Sequence, residues 1–326
     1  MKRLSLILAA VLLLAGCKGS RTLLPNVSGK AGEVIVVLDK ANWEGDLGND
    51  VRELLASDCP YLPQKEPLYN LVNVIPSGFT DLFRVHRNIF IFNIDPQLTS
   101  TGMNYQSDVW SSPQCVVQLS ARDAAEADSL LMMNKANIMS VIEQAERDRI
   151  IRNSILYEEA GLAPQVKEIF GGSPHFPSGY KLRKKTSDFV WIADVKQYIT
   201  QGILIYKYPV DSKDPLSLQE IISHRNSTMM VNVPGMFENT YMTTGEYMPP
   251  TVEYIKFRGR EFAQTRGLWE VVNDYMGGPF VSHSFYSPDG KDIIVAEGFV
   301  YAPRFDKRHY LRQVESILYS GEWAEK

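Results

Sequence analysis

Ser120-Ala121-Arg122-Asp123 has the form of a capping box, a hydroxyl followed three residues on by an acid, and it opens the longest helical pattern in the chain. Leu131, Ile138, Ile142 and Ala145 carry an apolar stripe, and then Glu146-Arg147-Asp148-Arg149 fills one turn with charge alone. Continued unbroken to Ala160, about 39 residues would run about 58 Å, longer than a small domain is wide. Two outcomes are open at the charged turn. The helix leaves the core into solvent, supported by Glu143 with Arg147 and Asp148 with Arg152 at i,i+4 spacing, or it breaks and restarts toward Ile155 and Leu156. Gly161 and Pro164 end it in either case.

Strand signals lie on both sides of this pattern. Before it, residues 34–38 are a β-branched run of the kind buried on both faces of a sheet, residues 39–58 carry Val51, Leu54 and Leu55 at helical spacing, and residues 71–75, 88–94 and 116–119 are further strands. After it, residues 161–179 gather Gly161, Pro164, Gly171, Gly172, Pro174, Pro177 and Gly179, the composition of a linker. Strands at 180–184, 189–195 and 203–208 follow, then a short helix capped by Ser217 and Glu220. Residues 252–258 and 261–265 form a hairpin through Gly259, residues 280–286 meet 293–301 across Ser287-Pro-Asp-Gly290, and a closing helix starts at Asp306. The expected architecture is α+β: two units, each a mostly antiparallel sheet with helices packed to one side. The likeness of residues 88–95 to 202–211 is a weak trace of internal duplication. The expected divisions are 1–16 leader, 17–32 tether, 33–160 first unit, 161–179 linker and 180–326 second unit.

The N-terminus specifies an address. Lys2 and Arg3 precede an apolar run from Leu4 to Leu14, and Leu14-Ala15-Gly16-Cys17 closes it, so a secretory leader ends on a cysteine. That arrangement resembles the lipobox of bacterial lipoproteins, which implies an acylated Cys17 as the new N-terminus. The run is too short to span a bilayer, which needs about 20 residues, whereas more than one acyl chain anchors stably. Lys18-Gly19-Ser20 lacks the aspartate that resembles an inner-membrane retention signal, so the periplasmic face of the outer membrane is the expected location.

Without a 16-residue leader, 310 of the 326 residues remain, more than one hydrophobic core usually organises. Removing Lys2 and Arg3 leaves 32 basic residues against 38 acidic ones, which argues against a nucleic-acid partner. Once Cys17 is committed to lipid, Cys59 and Cys115 remain, either as a disulfide in an oxidising compartment or as two buried thiols.

Catalytic and cofactor motifs are absent from the sequence. His86, His175, His224, His283 and His309 lie far apart, with no His-Glu-x-x-His or Cys-x-x-Cys spacing, so no metal and no cofactor are expected. Gly171-Gly-Ser-Pro-His175 misses the closing glycine of a nucleophile elbow. The residues with most character are Arg266 and Trp269 in Arg-Gly-Leu-Trp, and His283 after Met276-Gly-Gly-Pro-Phe-Val-Ser. Glycines that permit unusual backbone angles there adjoin residue types common in binding clefts. With Glu297 these form a candidate binding surface for an envelope protein or small ligand. The structural alternative is a half-buried histidine satisfied by a neighbour, beside a core tryptophan.

The lipobox, Val233-Pro-Gly235, Arg266-Gly-Leu-Trp269, Met276 to His283 and Glu297-Gly-Phe-Val-Tyr-Ala-Pro303 together resemble a Bacteroidota family catalogued only as a domain of unknown function. The resemblance implies a two-part α+β lipoprotein and carries no assigned active site. Three functional readings follow: a non-enzymatic binding or scaffold lipoprotein, a periplasmic hydrolase near His283 and Glu297, and a structural spacer.

Overall fold

A computed structural model describes residues 23–324. The leader and Cys17 lie outside the described residues. Within the first unit, β1 (Glu33–Val37), β2 (Asn70–Val74), β3 (Asn88–Ile94), β4 (Gly102–Ser107) and β5 (Cys115–Ala121) form a sheet in the order β2-β1-β3-β5-β4. Here the expectation of antiparallel pairing is corrected: β1 is parallel to β2 and β3, β3 is parallel to β5, and only the edge strand β4 runs antiparallel. The cause is the connection. Helices α1 (Lys40–Glu44) and α2 (Asp46–Ala56) carry the chain back to the starting end before β2, and such a crossover permits only parallel pairing. The unbroken apolar run in β1 is the matching sequence trait, since a central parallel strand is buried on both faces.

Val34, Val36, Phe90, Val117 and Leu119 face α2 and the long helix α4 (Ala124–Leu156), with Val51, Leu55, Leu131, Ile138 and Ile142 completing this core. The other face, Ile35, Val37, Ile89 and Val116, is covered by Phe79, Phe83 and Trp110 from short segments that include α3 (Asp81–Arg84). Order also begins earlier than Glu33. Ser112 N–H donates to Pro25 O at 2.9 Å and Ser28 N–H to Val85 O at 2.8 Å, fixing the end of the expected tether along this unit.

Helix α4 (Ala124–Leu156) is continuous over 33 residues, about 50 Å at 1.5 Å per residue. Asp123, not Ser120, is its N-cap, accepting from Glu126 N–H. Neither expected fate of the charged turn occurs. The helix runs out of the first core, keeps Glu146 and Arg149 buried, and delivers Ile151 to the core of the second unit. No helix among the described residues is long and apolar enough to cross a membrane.

Residues 161–179 are not a linker. Gly161 and Gly171, both at positive φ, bracket helix α5 (Leu162–Phe170), whose Leu162, Val166 and Phe170 enter the second core together with Phe176. Strand β6 (Gly172–Ser173) then pairs with the terminal strand β15 (Glu322–Trp323).

The second sheet is wholly antiparallel, as expected. It comprises β7 (Lys181–Lys185), β8 (Phe189–Lys196), β9 (Ile199–Pro209), β10 (Met242–Thr244), β11 (Thr251–Phe257), β12 (Arg260–Val271), β13 (Gly277–Tyr286) and β14 (Asp292–Tyr301). Its order is β10-β12-β13-β14-β9-β8-β7, with β11 also paired to β12. Arg258 and Gly259, at φ 48° and 83°, make the two-residue turn of the β11–β12 hairpin, the backbone such tight turns require. Both faces carry helices, which corrects the one-sided expectation. Helix α6 (Leu218–Asn232) packs on Leu204, Tyr206, Phe280 and Val295, while α7 (Arg308–Tyr319) packs with α5 on Ile203, Ile205, Val281 and Ala296. Gly298 makes the α7 contact close: a Cβ there would lie 2.8 Å from Val314 Cβ. The internal duplication also fails, because β3 has parallel neighbours and β9 antiparallel ones.

Cys59 and Cys115 are free thiols, so the candidate disulfide is corrected too. Cys115 belongs to the first core and Cys59 packs against the second; burial pushes each thiol up to about 11. Denaturation and alkylation without reductant should therefore label both cysteines, as read by peptide mass spectrometry. A cross-linked Cys59–Cys115 peptide would contradict the assignment.

Candidate functional site

The four residues proposed as one surface do not meet. Alternation along the sheet sends Arg266 and His283 toward α7 and sends Trp269 and Glu297 toward α6. His283 is directly opposite Ala296 and Glu297 is opposite Ser282, so a hydrolytic pair of His283 with Glu297 is excluded by the register. On the α6 side, Glu297 accepts from Arg225 Nε and Nη2, both at 2.8 Å, and each side chain is fully buried. Phe280 lies 4.1 Å beneath the guanidinium, and Arg225 Nη1 donates to Thr244 Oγ1 at 3.1 Å. Trp269 donates to Val300 O at 3.1 Å. With Val233, Pro234, Gly235 and Met276 it lines an apolar cavity of about 270 Å³, so several of the singled-out residues do gather, away from Arg266 and His283.

On the α7 side, His283 is within 3.2 Å of Gln264 Nε2 and stacks near Phe262 and Tyr319. Burial, then the charges of Arg266 and Arg147, hold it well below the usual histidine range, so it is neutral. It forms the floor of a cavity of about 640 Å³ walled by Phe257, Phe285 and Trp323.

Arg266 leads to a larger feature that sequence reasoning missed, a charged seam where the two units join. Arg266 pairs with Glu315 of α7, and Arg147 of α4 stacks 3.7 Å over Tyr319 with Glu315 at 4.0 Å. One turn earlier on α4, Glu143 accepts from Arg312 Nε at 3.0 Å and Nη2 at 2.9 Å, and from the Tyr69 hydroxyl at 2.5 Å. Burial acts to raise the Glu143 carboxyl, but Arg312 and Tyr69 outweigh it and hold it low. Glu66, on the loop before β2, accepts from Lys307 N–H at 2.7 Å and Arg308 N–H at 2.8 Å, so a carboxylate of the first unit caps α7 of the second. Glu146, 1% exposed, accepts from Asn88 Nδ2 at 2.7 Å and Arg149 Nη1 at 2.8 Å, with Arg87 Nε at 3.1 Å.

Beside Glu146 the seam opens into a cleft of about 510 Å³. The first unit contributes Arg87, Glu146 and Arg149; the second contributes Tyr180, Gln201, His309 and Gln313. Tyr180 is 3% exposed, and its hydroxyl has no hydrogen-bond partner among the described residues; the same holds for His309 Nδ1, while Arg87 Nε faces the Glu146 carboxylate at 3.1 Å. Burial, then Arg312, lowers the His309 pKa, keeping the ring neutral. Elsewhere, Asp211, Glu220 and His224 bring ligand-type atoms within 4.8 Å, but they sit at the surface as weak ion pairs of 3.7 and 3.8 Å.

Comparisons with known families divide the chain as the structure does. Residues 27–154 match the family described as Domain of unknown function (DUF8532), and residues 160–320 match Domain of unknown function (DUF4837). The resemblance to a family catalogued only as a domain of unknown function therefore holds, with one such domain for each unit. The curated proteins contain no match to the chain.

The buried Arg225–Glu297 pair yields a sharp prediction. Arg225→Met should cost about 3–5 kcal/mol by urea denaturation near neutral pH, because it strands a buried carboxylate. Burial raises Glu297 in the folded state, with Arg225 the group opposing it. Once Arg225 is gone, folding favours the protonated acid, so the loss should shrink as pH falls toward the ordinary carboxyl value. A loss that grows on acidification would contradict this.

Proposed function

We propose that this chain is a lipid-anchored, non-enzymatic binding protein of the cell envelope, held at the periplasmic face of the outer membrane through Cys17, with its ligand seat in the cleft between the two units. The lipobox-like Leu14-Ala15-Gly16-Cys17 supports the anchor. The cleft is the observation that carries the binding reading. Its volume falls in the range of small-molecule sites, domain junctions are common places for them, and its walls combine residues of both units with polar groups, the Tyr180 hydroxyl and His309 Nδ1, that have no hydrogen-bond partner among the described residues. A non-enzymatic role accords with the separation of His283 from Glu297 and with the use of the buried carboxylates in structural pairs.

Two measurements test the reading. Palmitate labelling should mark the mature protein and be lost in Cys17→Ser; an unlabelled product would refute the anchor. For the seat, wild-type protein purified from membranes should release a small molecule on denaturation, detectable by mass spectrometry. Asn153→Trp, at the exposed rim of the cleft, should fold normally and release none. Equal recovery from both would place the ligand elsewhere.

A further inference from the structure

The seam around the cleft is unbalanced in charge. Arg87, Arg147, Arg149, Arg266, Arg308 and Arg312 are set against Glu66, Glu143, Glu146 and Glu315, in a chain whose formal net charge is −4. Buried charge without compensation is costly, and the surplus here is cationic.

The cleft is where that surplus is least used. Every nitrogen of the Arg149 guanidinium is engaged: Nε donates to Pro113 O at 2.9 Å, Nη2 to Arg87 O at 2.6 Å, and Nη1 to Asn88 and Glu146. Among the described residues the Arg87 guanidinium, in contrast, pairs through the 3.1 Å approach of Nε to Glu146, a carboxylate already shared with Arg149, Asn88 and Gly32 N–H.

The tautomer of His309 follows from its neighbours. Gln201 Nε2 reaches Tyr310 O at 3.3 Å, a backbone carbonyl that can only accept, and reaches Gln313 Oε1 at 2.8 Å. Gln313 therefore presents its Nε2 as the donor to His309 Nε2 at 2.8 Å, which places the proton of the neutral ring on Nδ1. The His309 Nδ1–H and the Tyr180 hydroxyl thus line one cleft as hydrogen-bond donors with no acceptor among the described residues, beside Arg87, whose ion pair is to a carboxylate that Arg149 also holds.

We propose that the cleft takes a small ligand by an anionic group, a carboxylate or a phosphate, which Arg87 pairs and Tyr180 and His309 hydrogen-bond. This rests on the reading of the cleft as the ligand seat. The Arg87 guanidinium suits either oxyanion, because both accept two parallel N–H bonds. Asp194 and Lys196, ion-paired at 2.9 Å, also line the cleft and leave the surplus unchanged.

Calorimetric titration of the full-length protein in detergent micelles tests this with succinate, inorganic phosphate and succinamide, the last a neutral analogue of succinate. The expected result is binding of succinate or phosphate, whichever group the seat prefers, and none of succinamide. Arg87→Gln should weaken binding by about tenfold or more, and Tyr180→Phe by roughly fivefold, the size of one hydrogen bond. Tyr180→Phe is the decisive variant. Its hydroxyl has no hydrogen-bond partner among the described residues, so its removal should leave the melting temperature unchanged and separate a ligand contact from a folding role. Succinamide binding as well as succinate would overturn the anionic class while leaving the seat in place. Anion binding that survives both variants, or survives Asn153→Trp, would overturn the assignment to this cleft, and no binding of either anion at millimolar concentration would overturn the proposal.

Discussion

Glu146 sits where a helix of the first unit would otherwise enter solvent, and the contacts around it, all within the first unit, hold that helix in place to meet the second. Two arginines, an asparagine and a backbone amide converge on its carboxylate, from β3, from the segment before β1 and from its own helix. Coulomb attraction alone does not justify such a group, since desolvating a carboxylate costs several kcal/mol. The surrounding hydrogen bonds offset that cost, and they can form only when β3, α4 and residue 32 are all in place. The pair is better understood as a device of specificity than as a source of stability. It fixes how far α4 projects and at what angle its last turns meet α7.

The rest of the interface follows from that projection. Glu143 meets Arg312, Arg147 meets Tyr319 and Glu315, and Ile151 enters the second core, all from one face of α4. Glu66 completes the arrangement by capping α7, a helix whose apolar face is already committed to the sheet. Polar contacts therefore set register between the units, while apolar burial, worth about 1.5–3 kcal/mol for each large side chain, holds each unit together. The cleft is a by-product of the same geometry: helices and strands joined through long, branched, charged side chains cannot close-pack everywhere.

Much of the fold was legible from local pattern. Periodicity placed β3, β8, β9, the two long hairpins and the closing helix, since each has an alternation or stripe that survives burial. What escaped depended on distant partners. The charged turn at Glu146 read as solvated because two of the partners that bury it, Arg87 and Asn88, lie some sixty residues away in sequence. The glycines and prolines of residues 161–179 read as a linker because α5 has only nine residues, too few for a stripe to dominate the turn signals around it. Arg266, Trp269, His283 and Glu297 stand out in the sequence, but sheet parity, fixed by the register of β12, β13 and β14, distributes them over two faces. Arg225 gave no warning at all: an arginine within a helix reads as exposed until its carboxylate is known.

The buried charges that cross between α4 and α7 make the two domains a single cooperative unit, and differential scanning calorimetry of the full chain tests this directly. Wild-type protein should melt in one transition whose calorimetric and van't Hoff enthalpies agree, whereas Glu143→Gln, which keeps the shape and removes the charge that meets Arg312, should separate it into two. Two independent transitions in the wild type, or one unaltered transition in the variant, would contradict it.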